Sequence, residues 1–173
     1  MFMIHVLRLS HRAFRDKRIS THCALVSRAF GADKIIYSGE CDHSMEESVR
    51  GVVKQWGGKF EIEYKPKWRD VINKYKKDKW CIVHLTMYGL PIQKEIPKIR
   101  KKRNILLVFG GEKVPMEVYH EADFNIAVTS QPHSEVAAIA IFLDSYFQGK
   151  EYKKKFSGAK LKIIPQRCGK KFS

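Results

Sequence analysis

The chain has 173 residues, enough for one domain with an ordinary buried core. Apolar residues make up 44% of it, which excludes a disordered chain, and 33 Lys and Arg against 18 Asp and Glu leave a net charge of +15. No apolar run approaches the ~20 residues that cross a bilayer, and the cationic excess points towards phosphate backbones or another anionic surface. A Lys-rich surface suited to heat is the alternative reading of that charge.

The first apolar run, at 2–7, reads as a strand. Behind it Arg8, Arg12, Arg15, Lys17 and Arg18 cluster with His5, His11 and His22 in what reads as a loop, eight such residues in eighteen positions. Arginine forks match phosphate oxygens and base edges, although a charge run is commonly a solvated face. A helix is expected near 20–30, a strand at 34–37 and a helix at 45–56. Ser44 is the expected N-cap of that last helix, Glu47 completes a capping box, and Gly57-Gly58 stops it. A strand at 59–64 and a helix at 67–77 follow. Tyr64, Trp68, Tyr75 and Trp80 flank or interleave the basic stretch there. They offer base-stacking surfaces, with core packing the simpler role for most of them.

The strand at 81–85 contains Cys81, read as a small buried hydrophobe, and His84, read as a satisfied histidine or a base. A helix at 92–102 leads to Ile105-Leu-Leu-Val-Phe109, whose unbroken apolar character suits a central strand covered on both faces. Gly110-Gly111-Glu112-Lys113 follows, then a helix at 115–121 and a strand at 124–128. Thr129-Ser-Gln-Pro-His-Ser134 opens a helix at 134–148 that is apolar almost all round, which suits burial within the fold or at a subunit interface. The segment 159–173 reads as one more short strand with a basic tail.

Alternating strands and helices predict an α/β fold, a Rossmann-like, mostly parallel sheet with helices on both faces. In such sheets ligands bind beyond the carboxyl ends of the strands. The three loops after 85, 109 and 128 are therefore expected to wall one pocket. The Gly-Gly pair allows close backbone approach, but neither a P-loop nor a G-x-G-x-x-G motif is present. Cys23, Cys41, Cys81 and Cys168 show no C-x-x-C pairing, so no metal site or disulfide framework is expected. Without a recognisable signal segment, a cytoplasmic location is expected.

Longer stretches carry a resemblance over nearly the whole chain. Leu7-Arg-Leu-Ser-His-Arg12, Arg15-Asp-Lys-Arg18, Thr21-His22, Ala29-Phe-Gly-Ala32, Val83-His-Leu-Thr-Met-Tyr-Gly-Leu90, Gly111-Glu-Lys-Val-Pro115 and Gln131-Pro-His-Ser-Glu-Val-Ala-Ala138 resemble the archaeal tRNA (cytidine(56)-2′-O)-methyltransferase family, a branch of the SPOUT methyltransferases. The chain departs from the family at Thr129-Ser130, where Gly-Asn is expected, and at Gly110-Gly111, where Gly-Ala is commoner. The resemblance implies a C-terminal trefoil knot, a homodimer packed through helices beside it, and tRNA as the substrate.

It also implies S-adenosylmethionine held by Leu85, Thr86, Met87 and Tyr88, by Gly110, Gly111, Glu112, Lys113 and Val114, and by Val128, Thr129, Ser130, Gln131, Pro132, His133 and Ser134. A ribose hydroxyl is a poor nucleophile, so a base or a cation must assist it. The expectation is that Arg18 activates the hydroxyl, across the dimer interface, while Arg12 positions a phosphate. Arg28 is the weaker third candidate, since its helical position suits a structural salt bridge. No metal is needed. Two rivals remain: a basic RNA-binding module without catalysis, and a methyltransferase acting on another RNA position or a base nitrogen.

Overall fold

The structure is a computed structural model that describes residues 3–111 and 113–173. Six strands, β1 (Met3–His11), β2 (Lys34–Gly39), β3 (Glu61–Tyr64), β4 (Cys81–Pro91), β5 (Asn104–Phe109) and β6 (Phe124–Ala127), form one parallel sheet in the order β3-β2-β1-β5-β4-β6. Six helices connect or follow them: α1 (Ala13–Ala29), α2 (His43–Trp56), α3 (Trp68–Lys77), α4 (Ile92–Ile99), α5 (Met116–Glu121) and α6 (Glu135–Phe147).

Strand alternation divides the core into two layers. Ile105, Leu107 and Phe109 of β5 pack with residues of α1, α2, α4 and α6, while Leu106 and Val108 face α3 and α5. All five are buried, as expected of a central strand, and β5 lies between β1 and β4. Full burial of one such side chain contributes about 1.5–3 kcal/mol.

All six expected strands form, but two run further than the apolar pattern suggests. β1 continues to His11, and α1 begins at Ala13 instead of near residue 20. The basic segment is thus strand and helix, not a loop. Two carboxylates satisfy the helix start: Asp16 accepts the Arg12 N–H at 3.2 Å and Glu40 accepts the Ala13 N–H at 2.8 Å. The buried face of α1 consists of Asp16, Ser20, Cys23, Ala24, Ser27 and Arg28. Hydrophobic periodicity cannot register so polar a face.

α2 is capped by Asp42, not Ser44. The Asp42 carboxylate accepts the Met45 N–H and the Ser44 hydroxyl, both at 2.9 Å, and Glu47 is exposed. Gly57, at φ 77°, ends the helix as expected. α6 packs on α1 and α4 and buries Ala138, Ile139, Phe142, Leu143 and Tyr146, yet leaves Ile141 exposed. The last segment adds no strand to the sheet. It folds back on itself through an Ile163–Phe172 bridge, and the N–H groups of Lys160 and Leu161 tie it to the Gln55 carbonyl at the end of α2.

The second extended strand shapes the site. β4 pairs with β6 through Leu85, bulges out over residues 86–89, and returns so that Leu90 pairs with the same residue, Ile126. The excursion therefore lies directly against β6. A Cβ at Gly89 would stand 2.5 Å from the Asn125 carbonyl carbon and the Ile126 nitrogen, so only glycine fits that crossing.

Candidate active site

Because every strand is parallel, the ends of β1, β4, β5 and β6 open on one side of the sheet. There they surround a cleft of about 490 Å³. Its apolar floor comes from Leu85, Phe109, Ile126 and Ala138, and its mouth from the loops after β4, β5 and β6. Of the expected donor-binding residues, Leu85, Thr86, Met87, Tyr88, Gly110, Gly111, Val114, Val128, Gln131, Pro132 and His133 line it. Thr129, Ser130 and Ser134 do not. The Thr129 hydroxyl accepts the Gln131 N–H at 3.3 Å, and the Ser134 hydroxyl caps α6 by accepting the Ala137 N–H at 3.3 Å. Lys113 faces a neighbouring hollow instead, and Glu112 lies outside the described residues.

Arginines of β1 and α1 form the opposite wall. Arg12 and Arg15 line the cleft; Arg18 does not, and is exposed elsewhere on α1. Arg12 donates to Asp16 through Nε at 3.2 Å while remaining half exposed. Burial opposes the charge on Asp16, but the Arg12 hydrogen bond and the charge of Arg8 outweigh it and hold the carboxyl below its usual range. Arg28 is far from this chemistry. Its guanidinium donates to the Gly57 carbonyl at 2.6 Å and lies over the Phe156 ring. Its role is structural, although a carbonyl and a ring take the place of the expected carboxylate.

Several site residues are not apparent from residue order. Arg8 reads as one more cation of a basic loop, yet it is buried in β1 and lines the cleft. It donates to the Ser20 hydroxyl and lies 3.6 Å from Asp16 and 3.5 Å from Glu135. Tyr119, on α5, sets its ring edge-on to His84 at 4.6 Å. His84 is fully buried, with Nδ1 2.9 Å from the Asn125 side-chain oxygen, and burial lowers its pKa. Its Nε2 has no hydrogen-bond partner among the described residues. Cys81 is buried as expected, which pushes its thiol up to about 12.

A second hollow of about 510 Å³ adjoins the first and shares Arg12, Asp16 and Gly111 with it. Among the described residues, Ser10, His11, Gly39, Glu40 and Lys113 also line it. The carboxyl-end rule applies equally to Gly39-Glu40, which stand at the end of β2. Close by, the donor atoms of Cys41, His43 and Glu46 lie within 4.8 Å of one another, a grouping that no ligand spacing suggests. Glu46 is already engaged there by the Tyr37 hydroxyl at 2.8 Å and by Arg50 at 3.0 Å.

The cleft fits a nucleoside-type donor. An apolar floor, exposed loop residues, Gly110 and Gly111 in the lining, and a His84 Nε2 without a partner among the described residues match a ligand with both apolar and polar parts. A family model described as "tRNA ribose 2'-O-methyltransferase, aTrm56" matches residues 56–173. The tRNA (cytidine(56)-2'-O)-methyltransferase of Thermococcus kodakarensis is 56% identical over 98% of this chain and 96% of its own length. That of Methanocaldococcus jannaschii is 53% identical over 97% and 94%.

Among solved structures, the "A. aeolicus TrmH/SpoU tRNA modifying enzyme" superposes with TM-score 0.63 at 17% identity, over 88% of this chain and 78% of that one. The SpoU methyltransferase AviRb from Streptomyces viridochromogenes, in complex with AdoMet, gives 0.64 at 13% identity, over 86% and 58%. These likenesses show the fold alone: a parallel sheet with a knotted C-terminal part, in which the β4 excursion lies against β6. The chain belongs to the tRNA ribose 2'-O-methyltransferase family, aTrm56.

Proposed function

We propose that this chain transfers the methyl group of S-adenosylmethionine to the ribose 2′-hydroxyl of cytidine 56 in tRNA. One observation carries the reading: three loops from successive strand ends meet in one cleft whose far wall is arginine. A non-catalytic RNA-binding surface has no use for such a cleft. The cationic balance of +15 suits a polyanionic substrate.

When bound, S-adenosylmethionine supplies an electrophilic methyl on a sulfonium and departs as a neutral thioether. The residues of the 86–88, 110–114 and 128–134 segments that line the cleft hold it, while the apolar floor excludes water. Arg12, half exposed and oriented by Asp16, stands where the ribose and its phosphates approach. A new O–CH3 bond forms as the S–CH3 bond breaks, and the hydroxyl proton leaves to water. A fixed guanidinium stabilises the negative charge developing on the ribose oxygen, and holding the oxygen in line with the methyl lowers the barrier further.

Arg18 stands outside the cleft of its own chain, so its expected role in activating the hydroxyl requires a second copy. The fully exposed Phe14 lies one helical turn before Arg18, on the same face of α1. A partner that covers Phe14 brings Arg18 into the interface, which supports a homodimer with Arg18 acting in the partner's cleft. Among the described residues, no helix is long and apolar enough to cross a membrane.

Transfer of labelled methyl to unmodified tRNA, followed by nuclease mapping, tests the reaction. Label in the ribose of cytidine 56 is expected; label in a base, or at another position, overturns the assignment. Arg18→Ala is expected to abolish turnover, spare donor affinity and be rescued in mixed dimers with a cleft-impaired partner. Full activity in a monomeric Arg18→Ala protein would end the role in trans.

A further inference from the structure

The cleft described above accounts for the methyl donor, but not for how the enzyme knows a cytosine. Arg12, beside which the ribose is proposed to approach, belongs to the wall that the two hollows share. That wall is Arg12, Asp16 and Gly111, and behind it lies the hollow of about 510 Å³. Two unusual backbone positions lie at its rim. Ser10 adopts φ 53° although it is not glycine. Gly39, at φ 105°, lies so close to β1 that a Cβ would meet the His11 carbonyl oxygen at 2.3 Å. Strain of this kind persists where a site demands a particular backbone path.

In a chain of +15 that binds a polyanion, a carboxylate oxygen left without a partner beside the RNA costs affinity unless it has a task. Among the described residues, two carboxylates line this hollow. Asp16 is committed to Arg12 and Arg8. Glu40 is different: its Oε2 accepts the Ala13 N–H at 2.8 Å, which fixes the side chain, while Oε1 makes no hydrogen bond among the described residues. Arg12 and Lys113 on the same wall supply cations for the flanking phosphates. An anchored carboxylate with one oxygen to spare is an acceptor for an exocyclic amine, the group by which cytosine differs from uracil.

We propose that this second hollow holds the acceptor base and that Glu40 reads the N4 amine of cytosine. The inference rests on the ribose-methylation reading and deepens it by naming the residue that selects the base. Uracil presents an O4 acceptor at the same place, and a fixed carboxylate repels it.

The test compares wild type and Glu40→Gln on tRNA transcripts carrying, at position 56, cytidine, uridine, or a ribosyl 2-pyrimidinone that lacks the amine. The glutamine variant keeps an amide oxygen that can accept the Ala13 N–H, so the helix start is preserved, and a thermal melt checks this. Wild type is expected to lose kcat/KM by on the order of ten- to a hundredfold on removal of the amine. Glu40→Gln is expected to lose a similar factor on cytidine, to lose nothing more when the amine is absent, and to narrow the cytidine-to-uridine ratio. Donor affinity, read by calorimetry, should stay the same. An unchanged cytidine-to-uridine ratio in Glu40→Gln, or equal wild-type rates with and without the amine, overturns the role of Glu40 alone. Failure of wild type to methylate the cytidine transcript overturns the function itself.

Discussion

Gly89 and Asn125 touch where a side chain would stand: a Cβ on Gly89 would lie 2.5 Å from the Asn125 carbonyl carbon. The neighbour is backbone, held in β6, and cannot yield as a flexible side chain could. Gly89→Ala therefore forces apart the excursion of β4 and the strand it crosses. A loss of about 1–3 kcal/mol is expected, which lowers the melting temperature by several degrees. Because residues 86–88 also line the cleft, donor affinity measured by calorimetry should fall with it. An alanine variant with wild-type melting and binding would show that the crossing is loose.

Arg12 is oriented by Asp16, so the two should fail in different ways. Arg12→Ala removes the guanidinium and is expected to lower kcat on the order of a hundredfold or more, with little change in donor affinity. Asp16→Asn leaves Arg12 in place but weakens its anchor, and also removes a carboxylate beside the buried Arg8. Its activity loss should be smaller and its stability loss larger. Steady-state kinetics beside thermal melts separate the two, and an Asp16→Asn protein with wild-type kcat would rule out the anchoring role.

His5, His11 and His84 each titrate below the ordinary imidazole value of 6.5, chiefly because burial disfavours the charge. Neutral in the folded protein, they take up protons on unfolding, so the unfolded chain binds more protons wherever pH lies between the folded values and 6.5. Stability then rises with pH across that range. The contribution is complete above the ordinary imidazole value and is lost as pH falls below it. Melting temperatures measured across this interval should drop on acidification, and His84→Gln should flatten the slope. A melting temperature that rises on acidification would have the wrong sign.

The cationic balance predicts a steep salt dependence. Each phosphate neutralised releases counterions, so the logarithm of tRNA affinity should fall linearly with the logarithm of salt concentration, by about 0.7 to 0.9 per contact. Arg12→Ala should reduce that slope by roughly one contact. Donor binding, which involves no polyanion, should be nearly indifferent to salt.

Much of this architecture is legible from residue order. Short apolar runs mark all six strands, and the unbroken run Ile105–Phe109 places β5 at the centre. The rule that ligands gather at carboxyl ends brings the three loops of the cleft together. Where residue order misleads, the cause is polar burial or distance along the chain. The start of α1 is hidden because its first buried residue is the carboxylate Asp16, while its aromatic Phe14 is fully exposed. Arg8 looks like one of many surface cations, yet one of its carboxylate neighbours, Glu135, is 127 positions away. The shared pairing of Ile126 with Leu85 and Leu90 leaves no local pattern at all.

That shared pairing makes the enzyme's competence an assembled property. The loop proposed to hold the methyl donor is the same stretch that lies against β6, so neither half of the proposed binding surface can be presented alone. A nascent chain released before β6 and α6 are in position has no receptor for the donor, however complete its sheet. Methyl transfer by this chain is therefore expected to report that β6 has docked against the excursion.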